Sequence, residues 1–438
     1  MERRFAKRFA VFSVAFLLAA PALAGATDLY VDPLGGSDVS GAGALGAPFA
    51  TITMTLKVTG PGDHVHLAPG TYSPSTGETF PLVLPAAVWL LGAGVHQCVI
   101  SGEGDFTLVR LKDEVLVSDV HFERAKVAVT TQLFHNDVNY LRRCRFENND
   151  VAVHYEDWLH SDSRFVLVNC ALLGNQVALQ HHSTGWDFNS VTLLVFGTTI
   201  TANGIAVEPT GMGERYLGLY NSIVLGNGDN SLATFQADVG VTSNVLSDPA
   251  YVGTNGNLDV SPGIPGWAEG DPHLASSAKA RDHVTLAPVW PPTGYWTGAT
   301  PWPWEATFGE VRDIDGQTRL VGPAGDAGCD EFRSPTVHLN GAVQLGTTLA
   351  VRLQAEPGES LLTFAGFGLY PSLVAGLLWV QPPYMFLGSA MVPAGGAAQL
   401  SVPIPSGPTL AGLNMYLQAL RLGPALASSG PVWARLRP

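Results

Sequence analysis

Four segments of the chain concentrate the side chains that could contact or transform a ligand. These segments, which hold histidines, carboxylates and aromatic rings together, are Thr130–Tyr140, His154–Val166, Gln180–Leu194 and Glu208–Gly218. Aromatic rings stack on the faces of sugar rings, and carboxylates hydrogen-bond hydroxyls or serve as acid and base. A histidine could act as a base near neutral pH. The candidate binding residues are His154, Tyr155, Glu156, Asp157, Trp158, His181, His182, Trp186, Asp187 and Glu208.

A plainer interpretation of the same segments is that polar residues collect in solvated loops whose aromatic rings pack on the flank of the fold. A calcium-dependent lyase site also needs an arginine or lysine base, and Arg164 and Arg215 are the only basic residues there. Arg142, Arg143 and Arg145 lie outside the segments. They could bind uronate carboxylates through bidentate hydrogen bonds or form a solvated sheet face. No catalytic residue is therefore assigned.

One short motif could bind a metal ion. Asp313-Ile314-Asp315-Gly316 has the D-x-D-G pattern of a calcium loop, although no glutamate follows at the distance of a full EF-hand. The two interpretations are a calcium site that includes Asp313 and Asp315, and a turn at the end of the fold. No Cys-x-x-Cys or Cys/His spacing supports a zinc site.

An internal repeat underlies the four segments. Val120, Cys144, Cys170, Thr198 and Ser222 align at spacings of 24, 26, 28 and 24 residues. The positions around them form further columns of similar residues at the same spacings. The columns are apolar (Phe122, Phe146, Leu172, Ile200, Val224 and Val117, Leu141, Leu167, Val195, Leu219), asparagine (Asn149, Asn175, Asn203, Asn227) and alanine (Ala128, Ala152, Ala178, Ala206).

These columns predict an all-β fold, a right-handed single-stranded parallel β-helix in which each repeat is one coil. Equivalent residues then stack about 4.8 Å apart along parallel strands, and the apolar columns fill the interior. We expect the asparagine column to mark a tight turn in the left-handed conformation and to form a ladder of amides. The four segments should project from one side of the helix and form a groove.

The ends of the β-helix are less regular. Thr51 to Lys57 could form a short helix that covers the first open coil. After Asn227 the columns fade into segments rich in proline, glycine and tryptophan, which we interpret as wrapping loops. We predict a signal peptide at 1–24, the β-helix with its caps at 27–333 and a small β-sandwich at 335–438. Its strand candidates are Val337–Val343, Thr348–Leu353, Leu361–Gly366, Ala398–Ile404 and Met415–Leu420.

The N-terminal residues predict secretion. A basic start is followed by the apolar run Phe9–Ala20 and by Ala22-Leu23-Ala24, which has the spacing that signal peptidase recognises. The run is too short to span a membrane, so we expect no membrane-spanning segment in the mature chain. The net charge of −14 argues against nucleic acid as a partner.

Four cysteines allow three disulfide pairings, and the spacing does not choose among them. Cys144 and Cys170 would stack on adjacent coils with parallel Cβ vectors, which suits a disulfide poorly. We therefore favour buried thiols at these two positions.

Several motifs resemble a known family. Tyr30-Val31-Asp32-Pro33, Pro48-Phe49-Ala50-Thr51-Ile52 and Gly70-Thr71-Tyr72 resemble the opening of secreted bacterial pectin-lyase-like β-helix proteins. Asn221–Asn227 and Gly325–Phe332 are similar to the later coils and the terminal motif of the choice-of-anchor Q group. The resemblance covers roughly residues 28–333 and implies the fold. Such families include polysaccharide lyases, but no catalytic motif carries over to this chain residue by residue.

Two classes of function remain. The first is a secreted, extracellular or surface-displayed β-helix that binds a polysaccharide or a cell-surface glycan without cleaving it. The second is a polysaccharide lyase or glycoside hydrolase that works in the groove. We favour the first. No cofactor is assigned: calcium at Asp313 and Asp315 is the one candidate, and a turn is the favoured role of that motif.

Overall fold

The structure is a computed structural model, and it describes most of the β-helix and the strands of the C-terminal region. The described residues are 26–133, 138–157, 164–183, 191–211, 215–232, 237–242, 244–248, 251–255, 257–258, 274, 280, 313–314, 327–329, 335–340, 344–367, 385–394, 397–410, 413–422, 427–428 and 432–436. The predicted signal peptide at 1–24 lies outside them.

Short strands separated by corners make up the N-terminal three quarters of the described chain. In chain order they are β1 (Asp28–Val31), β2 (His64–Leu67), β3 (Gly70–Tyr72), β4 (Leu82–Leu84), β5 (Trp89–Gly92), β6 (Cys98–Ser101), β7 (Thr107–Leu111), β8 (Leu116–Ser118), β9 (His121–Glu123), β10 (Val127–Leu133), β11 (Val138–Arg142), β12 (Arg145–Glu147), β13 (Val151–Asp157), β14 (Arg164–Val168), β15 (Ala171–Leu173), β16 (Val177–Ser183), β17 (Val191–Phe196), β18 (Thr199–Thr201), β19 (Ile205–Gly211), β20 (Arg215–Tyr220), β21 (Ile223–Val224), β22 (Ala237–Thr242) and β23 (Val245–Leu246).

These strands form three parallel sheets that run along the axis of the helix. The first sheet has the order β1-β2-β5-β8-β11-β14-β17-β20-β22, the second β3-β6-β9-β12-β15-β18-β21-β23, and the third β4-β7-β10-β13-β16-β19. A full coil contributes one strand to each sheet, as β8, β9 and β10 do in succession. The predicted right-handed single-stranded parallel β-helix is therefore confirmed.

Residues that align in the repeat columns of the sequence lie directly over one another on neighbouring coils. Phe122 is paired with Phe146, and Phe146 in turn with Leu172 on the next coil. The rings of Phe122 and Phe146 stack with centroids 5.1 Å apart and planes at 14°. Because all three side chains are fully buried, each contributes about 1.5–3 kcal/mol through the hydrophobic effect.

The asparagine column also stacks, but its conformation differs from the prediction. At these corners the left-handed residues are the ones just before each asparagine, for example Asn148 at φ 56° and Gly174 at φ 64°. The expectation that the column asparagines themselves are left-handed is wrong. Asn149 and Asn175 instead turn their amides inward, where they bond the coil above and below.

The first coil is capped as expected. A short helix, α1 (Ile52–Thr55), begins after Thr51, whose hydroxyl accepts a hydrogen bond from the Met54 backbone N–H at 3.0 Å. The Glu78 carboxylate accepts two more backbone N–H groups of this first turn, from Ile52 at 2.7 Å and Thr53 at 2.9 Å. These bonds satisfy helix donors that lack an intrahelical partner.

The C-terminal region is antiparallel, as the predicted sandwich requires. The predicted strands are confirmed with small shifts at their ends, while Met385–Met391, Ala427–Ser428 and Val432–Arg435 were not foreseen. One sheet has the order β24-β25-β28 and the other β27-β26-β29-β30, with β31 beside β29. The division at residue 335 stays a prediction. The strands are β24 (Thr336–Asn340), β25 (Thr348–Gln354), β26 (Ser360–Gly366), β27 (Met385–Met391), β28 (Ala397–Pro403), β29 (Asn414–Leu422), β30 (Ala427–Ser428) and β31 (Val432–Arg435).

Candidate functional site

The outer side of the third sheet carries most of the described candidate residues. Successive side chains of a strand point to opposite sides, so alternate residues of β13, β16 and β19 face outward. The strands are in register, and their outward residues therefore form two rows along the helix axis. We call this surface the polar face. It comprises Thr130, His154, Gln180 and Glu208 in one row and Glu156, His182 and Thr210 in the other.

Hydrogen bonds between neighbouring coils connect the side chains of each row. The Gln180 amide donates to Glu208 Oε2 at 2.6 Å. His182 Nδ1 lies 2.9 Å from the Thr210 hydroxyl. These contacts hold donors and acceptors at intervals of about 4.8 Å, the spacing of strands along the helix axis.

Among the described histidines of the polar face, His154 has a pKa that is clearly shifted from its ordinary value. Burial lowers its pKa, the nearby Glu156 carboxylate raises it, and His182 lowers it. The net direction is downward, so His154 is held neutral at pH 7. A neutral imidazole both donates and accepts hydrogen bonds, which suits a hydroxyl-rich ligand.

Two of the predicted binding residues lie inside the β-helix. Tyr155 and His181 occupy the inward row of the third sheet, and both are fully buried. Their rings stack with centroids 4.2 Å apart and planes at 17°, and the Phe165 ring also stacks on Tyr155, at 5.7 Å and 8°. The prediction that these two residues line a groove is wrong, because strand alternation turns them into the core.

Where the structure describes them, the four predicted loop segments are strand, and their middle parts, 134–137, 158–163, 184–190 and 212–214, lie outside the described residues. β13 and β16 continue through Asp157 and Ser183, so the polar residues near their ends belong to a sheet. The candidates His154, Tyr155, Glu156, Asp157, His181, His182 and Glu208 all lie on strands. Trp158, Trp186 and Asp187 lie outside the described residues.

Arg143 and Arg145, two of the three arginines near Cys144, are mostly buried in ion pairs and form neither a solvated face nor an open site for uronates. Arg143 makes a bidentate ion pair with Asp119, with N–O distances of 2.6 and 2.7 Å. Arg145 pairs with Glu147 at 2.9 Å. Only about an eighth of each arginine side chain is exposed, at 12% and 13%. The charges of Arg143 and Arg145 are therefore paired with carboxylates of the fold itself.

The structure describes the first two of the four residues of the predicted calcium motif, Asp313 and Ile314. Asp313 is fully buried, and Ile314 beside it packs with Cys329 against Ala171 and Leu173, on the outer side of the second sheet. Asp315 lies outside the described residues. Calcium binding at Asp313 and Asp315 stays a prediction.

A second group of candidate ligands was missed by the sequence analysis. Asp28, His64 and His66 bring three ligand atoms within 4.8 Å of one another on the first sheet. The missed signal is the His-Val-His pattern, which places two imidazoles on one side of a strand.

The fold defines the class of this protein, a single-stranded parallel β-helix. A family model described as a protein of unknown function, DUF1565, matches residues 34–110. No curated protein matches the chain. In the described part of the chain, no helix is both long and apolar enough to cross a membrane.

Two solved structures are similar to this chain. A rhamnogalacturonan lyase is 13% identical, with a TM-score of 0.27, over 45% of this chain and 68% of its own. The pectate lyase Pel9A is 14% identical, with a TM-score of 0.26, over 71% of this chain and 98% of its own.

Proposed function

We propose that this protein is a secreted β-helix that binds a neutral polysaccharide along the polar face without cleaving it. The observation that carries the proposal is the pair of in-register polar rows, in which each coil repeats donors and acceptors along one axis. A polysaccharide is the ligand class whose own repeats match such a surface, because every sugar unit offers hydroxyls that both donate and accept.

The described residues favour binding over catalysis by a calcium-dependent lyase. Such an enzyme needs a cluster of carboxylates to hold the ion. Among the described residues, the group of three potential metal ligands holds only one carboxylate, Asp28, beside His64 and His66. The two carboxylates of the polar face, Glu156 and Glu208, lie on strands two apart and are offset by two residues, with Cα atoms about 12 Å apart. They therefore form no such cluster.

The charge of the polar face favours a neutral glycan over a uronate polymer. Glu156 and Glu208 both lie on it, and the whole chain carries a net charge of −14. Arg110, on β7, extends the first row at its N-terminal end, four strands away from Glu208. A polyanion lying along the rows would therefore meet two carboxylates, one in each row, before it reached Arg110.

Affinity electrophoresis on a panel of neutral and uronate polysaccharides tests the proposal. We expect retardation by at least one neutral polysaccharide, weakened about fivefold or more in the double variant His154→Ala/His182→Ala. His96→Gln is the matched control, because it removes an exposed histidine away from the polar face. Retardation that is unchanged in the double variant would place binding elsewhere and overturn the proposal.

The same samples also test the enzymatic alternative, through the products that an enzyme would release. Release of reducing ends or of unsaturated uronate products, abolished by Glu156→Gln, would show a hydrolase or a lyase. We expect no release from any polysaccharide that the protein binds.

A further inference from the structure

The start of the β-helix carries a group of side chains that can coordinate a metal ion. This group lies on the first sheet, whereas the polar face lies on the third. Asp28 on β1 is paired directly with His64 on β2, and His66 follows two residues later on the same side of the strand. The first sheet therefore presents one carboxylate and two imidazoles together on its outer side.

The distances within this group match those of a coordination shell. Asp28 Oδ1 lies 2.9 Å from His66 Nε2 and 3.3 Å from His64 Nδ1. Ligands bound at about 2.0–2.1 Å from a zinc ion in tetrahedral geometry are about 3.3 Å from one another. The three side chains are thus already about as close as a bound metal ion would hold them.

Two aromatic neighbours fix the planes of the imidazole rings. Trp89 stacks on His64 with ring centroids 4.5 Å apart and planes at 19°. Tyr30 stacks on His66 at 4.9 Å and 15°. Neighbouring groups that orient the ligands raise the affinity of a metal site, because less freedom is lost on binding.

The group is open to solvent on one side. The exposed fractions of the side chains are 29% for His64, 34% for His66 and 55% for Asp28. Water can therefore complete the coordination of an ion that three protein ligands hold.

We propose that Asp28, His64 and His66 bind a divalent transition-metal ion, with Zn²⁺ as the representative ion. Two imidazole nitrogens and one carboxylate oxygen suit zinc and its first-row neighbours, whereas calcium and magnesium prefer an all-oxygen shell. This site is independent of the calcium motif at Asp313 and Asp315 and of glycan binding on the polar face.

Titration of the full chain with Zn²⁺ in competition with a chromophoric chelator tests the proposal. We expect His64→Gln/His66→Gln to bind one equivalent of Zn²⁺ fewer than the wild-type chain, and Asp28→Asn to weaken that equivalent at least tenfold. His96→Gln, which removes an exposed histidine outside the group, should bind as the wild-type chain does. Equal stoichiometry and affinity in all four proteins would overturn the proposal.

A second measurement uses only the wild-type chain and remains decisive if a variant fails to fold. Paramagnetic Co²⁺ should shift or broaden the NMR resonances of the His64 and His66 rings before those of His96. Simultaneous broadening of all three, or broadening of His96 alone, would show that the group does not bind the metal. The Zn²⁺ titration and the Co²⁺ experiment do not depend on the glycan proposal, so failure to observe glycan binding would not change their outcome.

Discussion

Asn175 donates both its backbone N–H and its side-chain amide to Oδ1 of Asn203 on the next coil, each at 2.9 Å. Asn149 makes the same two bonds to Oδ1 of Asn175, at 3.1 and 2.9 Å. Asn203 repeats the pattern with Asn227. One buried amide per coil therefore satisfies the backbone at a corner and fixes the register of the coils.

Replacing Asn175 should break this ladder in the middle. Asn175→Ala removes the acceptor of the Asn149 backbone N–H and leaves that buried donor without a partner. We expect the free energy of unfolding to fall by about 3 kcal/mol, measured by chemical denaturation. Asn148→Gly is the matched control: Asn148 is exposed and left-handed, so glycine there should change stability by less than about 1 kcal/mol. Equal losses in the two variants would contradict a structural role for the amide.

The ladder was predictable because residues one coil apart in the sequence stack in register along the axis of the β-helix. The asparagines recur every 24 to 28 residues, and only a coil of that length brings their amides within hydrogen-bond distance. Their backbone conformation was not predictable in the same way. Asparagine is favoured both in left-handed turns and as a stacked amide, and only the coordinates separate the two roles.

His154 and Tyr155 are adjacent in sequence but should behave oppositely on substitution. Tyr155→Ala empties a fully buried ring position and should cost about 3–5 kcal/mol of stability. His154→Ala removes an outward side chain, so it should cost less than about 1 kcal/mol and weaken glycan binding instead. Thermal unfolding and affinity electrophoresis of both variants measure the two effects. A stable Tyr155→Ala protein would contradict the interior placement.

The sequence located the candidate site but not which residues face the solvent. Polar residues on the outer side of a strand and polar residues of a loop have the same composition, so His154 and Glu156 suggested a loop. The alternation of the strand assigned Tyr155 and His181 to the core, where their rings stack on each other. His64 and His66 were missed for a related reason, since a two-residue spacing is significant only once the strand is known.

The stability of the β-helix should fall in acid partly through Glu147. Burial raises the pKa of this carboxyl, but contact with His121 and the charge of Arg145 lower it to about 2, below its ordinary value of 4.5. The unfolded chain therefore binds a proton more readily than the folded chain as the pH falls. We expect about 3 kcal/mol of stability, present above pH 4.5, to be lost as the pH falls to about 2.

Glu147→Gln isolates this contribution. Denaturation of the variant should show a shallower loss of stability between pH 4.5 and pH 2 than the wild-type chain, together with lower stability at pH 7. His96→Gln controls for the general effect of a polar surface change. Parallel pH profiles for Glu147→Gln and the wild-type chain would contradict the low pKa of Glu147.

All four cysteines are buried thiols that form no disulfide, which confirms the preference for thiols at Cys144 and Cys170. Burial raises the pKa of the Cys98 and Cys170 thiols, which suppresses the reactive thiolate. We expect no reaction with a thiol reagent in the native protein and four reactive thiols after denaturation. Val39→Cys, at a position 98% exposed, should add one thiol that reacts at once. Fast native reaction without that substitution would place a cysteine at the surface.

The preference for neutral over uronate polysaccharides should depend on Glu156 and Glu208. These carboxylates repel a polyanion lying along the polar face, so Glu156→Gln/Glu208→Gln should bind uronate polymers more tightly at low salt. The gain should shrink as salt is added, because salt screens exposed charges, while binding of neutral polysaccharides should change little. Glu359→Gln, which alters a carboxylate paired with Arg421 in the C-terminal region, is the control for net charge. An equal gain in that control would show that the effect comes from the charge of the whole chain rather than from the polar face.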